Sequence, residues 1–169
     1  MKTSISISQG FIVSNKVHLW FLTLFYSGKS PIAPGTIGSL VALPLGLPIM
    51  YFSHNTLFLL TLIIAILAVK QIDLYESNGG QHDDKSIVID ELVGLWLALC
   101  LVPFDVWSII GAFVLFRIFD IYKPSLIGVI DQKWQGGLGV VADDALAGIL
   151  SGLCVGGVMK LAIVLHTAL

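Results

Sequence analysis

Ile87-Val-Ile-Asp-Glu-Leu-Val-Gly-Leu-Trp-Leu-Ala-Leu-Cys-Leu-Val102 is an apolar run broken by two adjacent carboxylates, Asp90 and Glu91. Read as a helix, it sets the two acids about 100° apart around the axis, so one can face a ligand while the other flanks it. Acids in a first turn also complement the helix dipole. Here, however, Ile-Val-Ile precedes them, and the segment has turned apolar before the acids arrive. A charge in or beside hydrocarbon is costly and is seldom kept without a use. The pattern recurs at Asp83, Asp120 and Asp143-Asp144, each bordering or entering an apolar segment. The chain's only arginine, Arg117, stands three residues before Asp120. Separated carboxylates around one arginine read as a metal and phosphate site assembled between helices.

Composition sets the class. The chain has 169 residues, the length of one domain, and is 56 % hydrophobic and only 12 % charged. Its mean hydropathy is +0.93. Soluble domains carry about 25 % charged residues, so most of this surface is expected to face lipid. From Ser30 to Val69 there is no Lys, Arg, Asp or Glu. The formal net charge of −2 offers no basic footprint for nucleic acid. Cys100 and Cys154 lie in apolar segments and read as packing thiols rather than a disulfide framework. The single domain divides into an N-terminal segment, 1–16, and a helical core, 17–165. The first residues lack the charged and apolar regions of a signal peptide, and none is read there.

The expected fold is all-α, a helical bundle partly embedded in a membrane, with several transmembrane or interfacial helices. Val17–Phe25 is a short interfacial stretch, followed by a Gly- and Pro-rich loop from Ser27 to Ser39. Ile37–Phe52 contains Pro44, Gly46 and Pro48 and is expected to be kinked or broken. Asn55 or Thr56 caps a helix from Leu57 to Val69 that ends at Lys70, and Gln71–Lys85 is a polar connection. Further helices are expected over Ile87–Val102, Val106–Tyr122 and Asp143–Leu165. Spanning a bilayer takes roughly 20 apolar residues, which leaves three to five spans. Gly148, Gly152 and Gly156 recur every fourth residue, a stripe that allows two helix backbones to approach closely. That approach could draw Asp143 and Asp144 toward the other acids, or serve plain packing or a homo-oligomer.

Arg117 and Asp120 share a helix face and could simply pair with each other. Lys123 just before Pro124 adds a second cation, and Arg with Lys makes a clamp for phosphate. Asp143 could be an ordinary N-cap, but a cap leaves Asp144 without a reason. Asp83-Asp84 in a polar loop read, on their own, as solvated acids. The loop around Lys29 could offer backbone N–H groups to an anion, though its spacing is not that of a nucleotide P-loop. Thr36 and Ser39 could equally be helix caps, and the histidines show no paired ligand spacing. Cysteine phosphatase, aspartyl-phosphate phosphatase and hydrolase-elbow motifs are absent. Oxygen-only ligands suit Mg²⁺.

Four segments then carry a resemblance: Ser30-Pro-Ile-Ala-Pro-Gly-Thr-Ile-Gly-Ser39, Asp83-Asp-Lys-Ser-Ile-Val-Ile-Asp-Glu-Leu-Val-Gly94, Phe116-Arg-Ile-Phe-Asp-Ile-Tyr-Lys-Pro124 and Gly136-Gly-Leu-Gly-Val-Val-Ala-Asp-Asp-Ala-Leu-Ala-Gly148. In this order they resemble the motifs of the phosphatidylglycerophosphatase A family, from about Leu22 to Gly152. The resemblance implies an all-helical lipid phosphatase of the bacterial inner membrane. Its reaction would take phosphatidylglycerophosphate to phosphatidylglycerol with Mg²⁺, in phospholipid biosynthesis. It also implies roles for Asp83, Asp90, Glu91, Asp120, Asp143 and Asp144 among the acids, and for Arg117 and Lys123 among the bases. Asp83 thereby joins the candidate metal ligands. Lys29 and Leu126 depart from positions that are often apolar and often proline in relatives.

The expected site has Asp90, Glu91, Asp120, Asp143 and Asp144 as catalytic acids. Asp83, Asp90, Glu91, Asp143 and Asp144 are its metal ligands, and Arg117, Lys123 and Lys29 bind the substrate phosphate. It should lie where lipid meets water, facing the cytoplasm, so that acyl chains stay in the bilayer while the headgroup reaches in. A transporter or channel subunit is the competing class, since intramembrane acids can line an ion pathway. Single midplane charges would favour it, whereas acids clustered beside Arg and Lys at helix ends do not.

Overall fold

Five long helices make up most of the protein in a computed structural model, which describes residues 16–82, 84–124, 127, 134 and 136–168. They are α1 (Pro34–Phe52), α2 (His54–Ser77), α3 (Ile89–Cys100), α4 (Val106–Tyr122) and α5 (Gly136–Ala168), preceded by a 3-10 turn at Ser27–Lys29. Residues 16–22 form a further helical segment. No strand occurs among the described residues, so the all-α expectation holds.

The helix starts follow local chemistry where a side chain can reach back. Asp105 accepts from the Ser108 N–H at 3.0 Å and opens α4. Ser53, rather than Asn55 or Thr56, caps α2 by accepting from Thr56 N–H at 3.2 Å. Nothing between Leu57 and Ser77 breaks a helix, so α2, 24 residues long, runs past Lys70 to Ser77 and absorbs about half of the expected polar connection. α1 is not broken at Pro44 and Pro48 and continues as one helix through both. Both prolines sit on its exposed face, so neither ring enters the bundle. Gly46 lies against the Trp96 indole, whose N–H donates to Ala42 O at 2.8 Å and pins the middle of α1 to α3.

α5 begins earlier than its aspartates. The Gly136-Gly-Leu-Gly139 segment, ahead of the expected start at Asp143, is its first turn. Asp73 on α2 accepts from Gly137 N–H at 2.7 Å, so the cap comes from another helix. Asp73→Ala should therefore cost about 1 kcal/mol, the usual scale for a lost cap, seen as a lower melting temperature in detergent.

α3 is the axis of the bundle. Its residues from Leu92 to Leu99 are all buried, and it contacts α1, α2, α4 and α5. A helix apolar on every side must be surrounded. At 12 residues it is only about 18 Å long, too short to span, so its first turn lies sunk within one end of the bundle. Three other stretches, Pro34–Phe52, His54–Ser77 and Gly136–Leu165, are long and apolar enough to cross a membrane. Their outer surfaces are apolar. Phe52 is 85 % exposed and Val158 66 %, a state suited to lipid and not to water.

The glycine stripe brings α5 against α3. A Cβ at Gly148 would collide with Gly94 O, one at Gly152 would sit 2.8 Å from Ala98 O, and one at Gly156 would sit 2.5 Å from Leu101 O. The close approach is made within one chain. Of the uses the stripe left open, packing between two helices of the same chain is the one seen.

Candidate active site

α1, α3 and α5 all begin at the end of the bundle where α4 finishes, and a cavity of about 710 Å³ lies among these four termini. Its lining includes Asp90, Glu91, Arg117, Asp120, Lys123, Asp143 and Asp144. Seven of the expected site residues, scattered over 55 positions of sequence, are thus brought together.

Asp90 and Glu91 open α3, and Asp144 faces them from α5. One oxygen from each lies within 4.8 Å of the other two. Asp143 and Asp144 are buried and sit two turns inside α5, so Asp143 is not its N-cap. Asp90 Oδ1 and Glu91 Oε2 are sealed from solvent without a hydrogen-bond partner. Burial, then the Glu91 charge, push the Asp90 carboxyl well above the usual range. Burial, then the Asp144 charge, push Glu91 up to about 8. Carboxylates this close cannot all ionise unless a cation joins them. Three converging carboxylates, two of them with an unpartnered oxygen, are the hard donor set that a divalent cation such as Mg²⁺ takes.

The basic side is ordered by other acids. Arg117 Nη1 donates to Asp120 Oδ2 at 2.7 Å and to Ser39 Oγ on α1 at 3.3 Å. The expected Arg117–Asp120 pair forms, yet it does not satisfy the guanidinium, because Nε is buried with no partner. Lys123 ends α4 in the left-handed conformation (φ 42°), where Pro124 bars further right-handed helix. Its Nζ lies 2.7 Å from Asp143 Oδ2. The α1 N-terminus completes the wall with Pro34, Gly35 and Thr36. A Cβ at Gly35 would strike the Glu91 carboxylate and lie 3.0 Å from Arg117 Nη2, so a side chain there would displace the ends of the acid and the base. A helix N-terminus also presents unpaired N–H groups and a partial positive charge to an anion.

Two expected residues are not placed in this group. Lys29 is exposed, its Nζ 5.0 Å from the Tyr26 ring centroid, and it does not line the cavity. It belongs to the 3-10 turn, which packs against α1 and follows three residues of positive φ, Leu24, Phe25 and Tyr26. Asp83 and Leu126 lie outside the described residues. Conversely, sequence reading did not single out His82, Lys85 or Trp134, which line the cavity, and treated Ser39 only as a cap. Ser39 and Lys85 lie inside two of the resembling segments, Ser30–Ser39 and Asp83–Gly94, which is the signal that could have found them, whereas His82 and Trp134 lie in none.

The fold and the site together define an all-helical protein of membrane type, with a carboxylate cluster and a basic clamp sharing one cavity at the end of the bundle. The family model described as Phosphatidylglycerophosphatase A matches residues 20–159, and the chain belongs to that family. It is an enzyme, a phosphatase. Phosphatidylglycerophosphatase A of Escherichia coli (strain K12) is 37 % identical over 140 residues, covering 82 % of this chain and 81 % of that relative. The protein of the same name from Haemophilus influenzae is 39 % identical over 137 residues, covering 80 % and 83 %. A Bacteroides thetaiotaomicron protein, provisionally named a phosphatidylinositol-3-phosphatase, is 38 % identical over 137 residues, covering 76 % and 85 %. No solved structure matches the chain.

Proposed function

We propose that this chain hydrolyses phosphatidylglycerophosphate to phosphatidylglycerol and inorganic phosphate, with Mg²⁺, at the cytoplasmic face of a bacterial inner membrane. The observation that carries the reading is the trio of buried, unpartnered atoms in one cavity: Asp90 Oδ1, Glu91 Oε2 and Arg117 Nε. Two acceptors await a cation and one donor awaits an anion, which is the demand of a phosphomonoester brought in with a metal. Leaving such groups unmet is unfavourable by about 1–3 kcal/mol each, more for charges.

Asp90, Glu91 and Asp144 would hold the cation, with Asp83 as a further ligand. The cation would draw charge from a phosphate oxygen and acidify water at the site. Arg117 and the α1 N-terminus offset charge on the equatorial phosphate oxygens. Asp120 fixes the guanidinium in place, and Asp143 does the same for Lys123. Water attacks phosphorus in line, a carboxylate of the cluster takes its proton, and the P–O bond to the glycerol breaks. The departing alkoxide takes up a proton, so one water is consumed and phosphatidylglycerol and orthophosphate leave.

Charge supports the choice of membrane side. Arg117 and Lys123 lie at the cavity end of the bundle, with Lys85 in the connection there. The connections at the opposite end, Ser53 and 101–105, contain no Lys or Arg. An excess of basic residues favours the cytoplasmic side, and this bias supports a cytoplasmic cavity, although Lys160 lies far along α5 from it. A second reading comes from the phosphatidylinositol-3-phosphatase name carried by one relative. That lipid, like phosphatidylglycerophosphate, joins a phosphomonoester to a phosphodiester through an alcohol.

The test is phosphate release by the purified chain from phosphatidylglycerophosphate, phosphatidylinositol 3-phosphate and phosphatidic acid, with Mg²⁺ or with chelator. We expect release from the first lipid alone to be fast, and chelation to lower it by at least about 10²-fold. Undiminished release in chelator would overturn the metal assignment. Faster release from the inositol lipid would change the substrate and leave the chemistry standing.

A further inference from the structure

We propose that Lys85 binds the phosphodiester of the substrate and so selects lipids that carry two phosphates over those that carry one. The inference rests on the reaction proposed above. Three Lys or Arg side chains line the cavity, and two are committed to acids: Arg117 to Asp120 and Lys123 to Asp143, each at 2.7 Å. Lys85 differs. Among the described residues no carboxylate lies within 4.0 Å of its ammonium, although the cavity is lined by six acids. It is exposed, which sets it at the mouth and away from the buried carboxylates.

The backbone that carries Lys85 is fastened on both sides. Asp84 accepts from Tyr75 Oη at 2.6 Å and from Ser86 N–H at 2.9 Å. Ile87 N–H donates to Asp84 O at 2.8 Å, and Val88 N–H donates to Leu22 O at 3.0 Å. Asp84 is thereby occupied in shaping the turn, and Lys85 is left presented to the cavity.

The substrate's charge calls for such a group. Its phosphomonoester, held by the deep acids' cation and Arg117, leaves a phosphodiester anion one three-carbon alcohol away toward the bilayer. A cavity of about 710 Å³ lies within the usual range for whole small ligands, roughly 300–1,000 Å³, and has room for both phosphates and the glycerol. A mobile ammonium at the mouth suits an anion that must enter and leave each turnover.

The test uses the full chain in mixed micelles, with phosphatidylglycerophosphate as substrate and phosphatidic acid as a competitive inhibitor that lacks the diester. Lys85→Met should raise KM for the substrate about tenfold, the scale of one lost charge-assisted hydrogen bond. The kcat should stay within about twofold, because the reacting phosphate keeps its own contacts. Inhibition by phosphatidic acid should be unchanged, and Lys85→Arg should restore most of the KM. An unchanged KM overturns the proposal, as does equal weakening of both lipids, which would place Lys85 on the monoester or in the fold. A wild-type chain that leaves phosphatidylglycerophosphate intact overturns the parent reaction, a result separable from either of these.

Discussion

Asp90→Asn should lower kcat for phosphate release by at least about 10²-fold while leaving the metal-free protein as stable as the wild type or more so. The two effects have one cause. Asp90, Glu91 and Asp144 offer oxygens within 4.8 Å of one another, and without a cation their charges repel in a buried setting. Asparagine keeps the shape of the side chain and removes one of those charges. About 1 kcal/mol of relief would lift the melting temperature by roughly 2–4 °C for a chain of this size. Mg²⁺ should stabilise the wild type through mass action, and this shift should shrink in the variant, which binds it less well. Asp144→Asn should behave alike from the opposite helix. Melting curves in chelator and in Mg²⁺, measured beside activity, check the pattern. Near wild-type kcat, or a variant that simply melts lower, would show that these acids do not form the reactive cluster.

Gly148→Ala should damage both fold and activity, whereas Gly157→Ala should damage neither. A methyl group at Gly148 would collide with Gly94 O on α3, and backbone atoms cannot swing aside as a side chain would. The helices would have to separate, at a cost of about 3 kcal/mol or more. Asp144 lies one turn before Gly148 on the same face of α5, so the separation would also carry it away from Asp90 and Glu91. At Gly157 an added Cβ meets nothing within 4 Å, and alanine should stabilise the helix by about 0.5–1 kcal/mol. Thermal melts and phosphate release on the two variants decide the matter. A Gly148→Ala protein that melts and turns over like the wild type would contradict the close α3–α5 contact.

Local signals made some of this legible. The bounds of α4 follow from sequence because both ends are marked nearby, Asp105 as cap and Pro124 as stop. α2 was harder to end, since Lys70 is a charge but not a breaker, and a helix continues until backbone geometry forbids it. α5 could not be started correctly because its cap, Asp73, lies on another helix. The acids of the site stood out since a carboxylate beside hydrocarbon needs a reason. Lys29, a phosphate-binding candidate from its Gly-rich loop, is exposed and does not line the cavity, a position that only the packing of its turn decides.

The sequence by itself determined the class: an apolar helical chain with Asp90, Glu91, Arg117, Asp120, Lys123, Asp143 and Asp144 as its costly charges. Burial energetics and helical period act over a few residues, so they can be read along the chain. The tertiary structure alone decided which atoms meet. It set Asp144 against Asp90 and Glu91 through the glycine contact with α3, left Arg117 Nε unpartnered, fixed Gly35 between acid and base, and brought Lys85 to the cavity mouth. These are distances between helices, and they depend on how whole faces pack, which no single segment encodes.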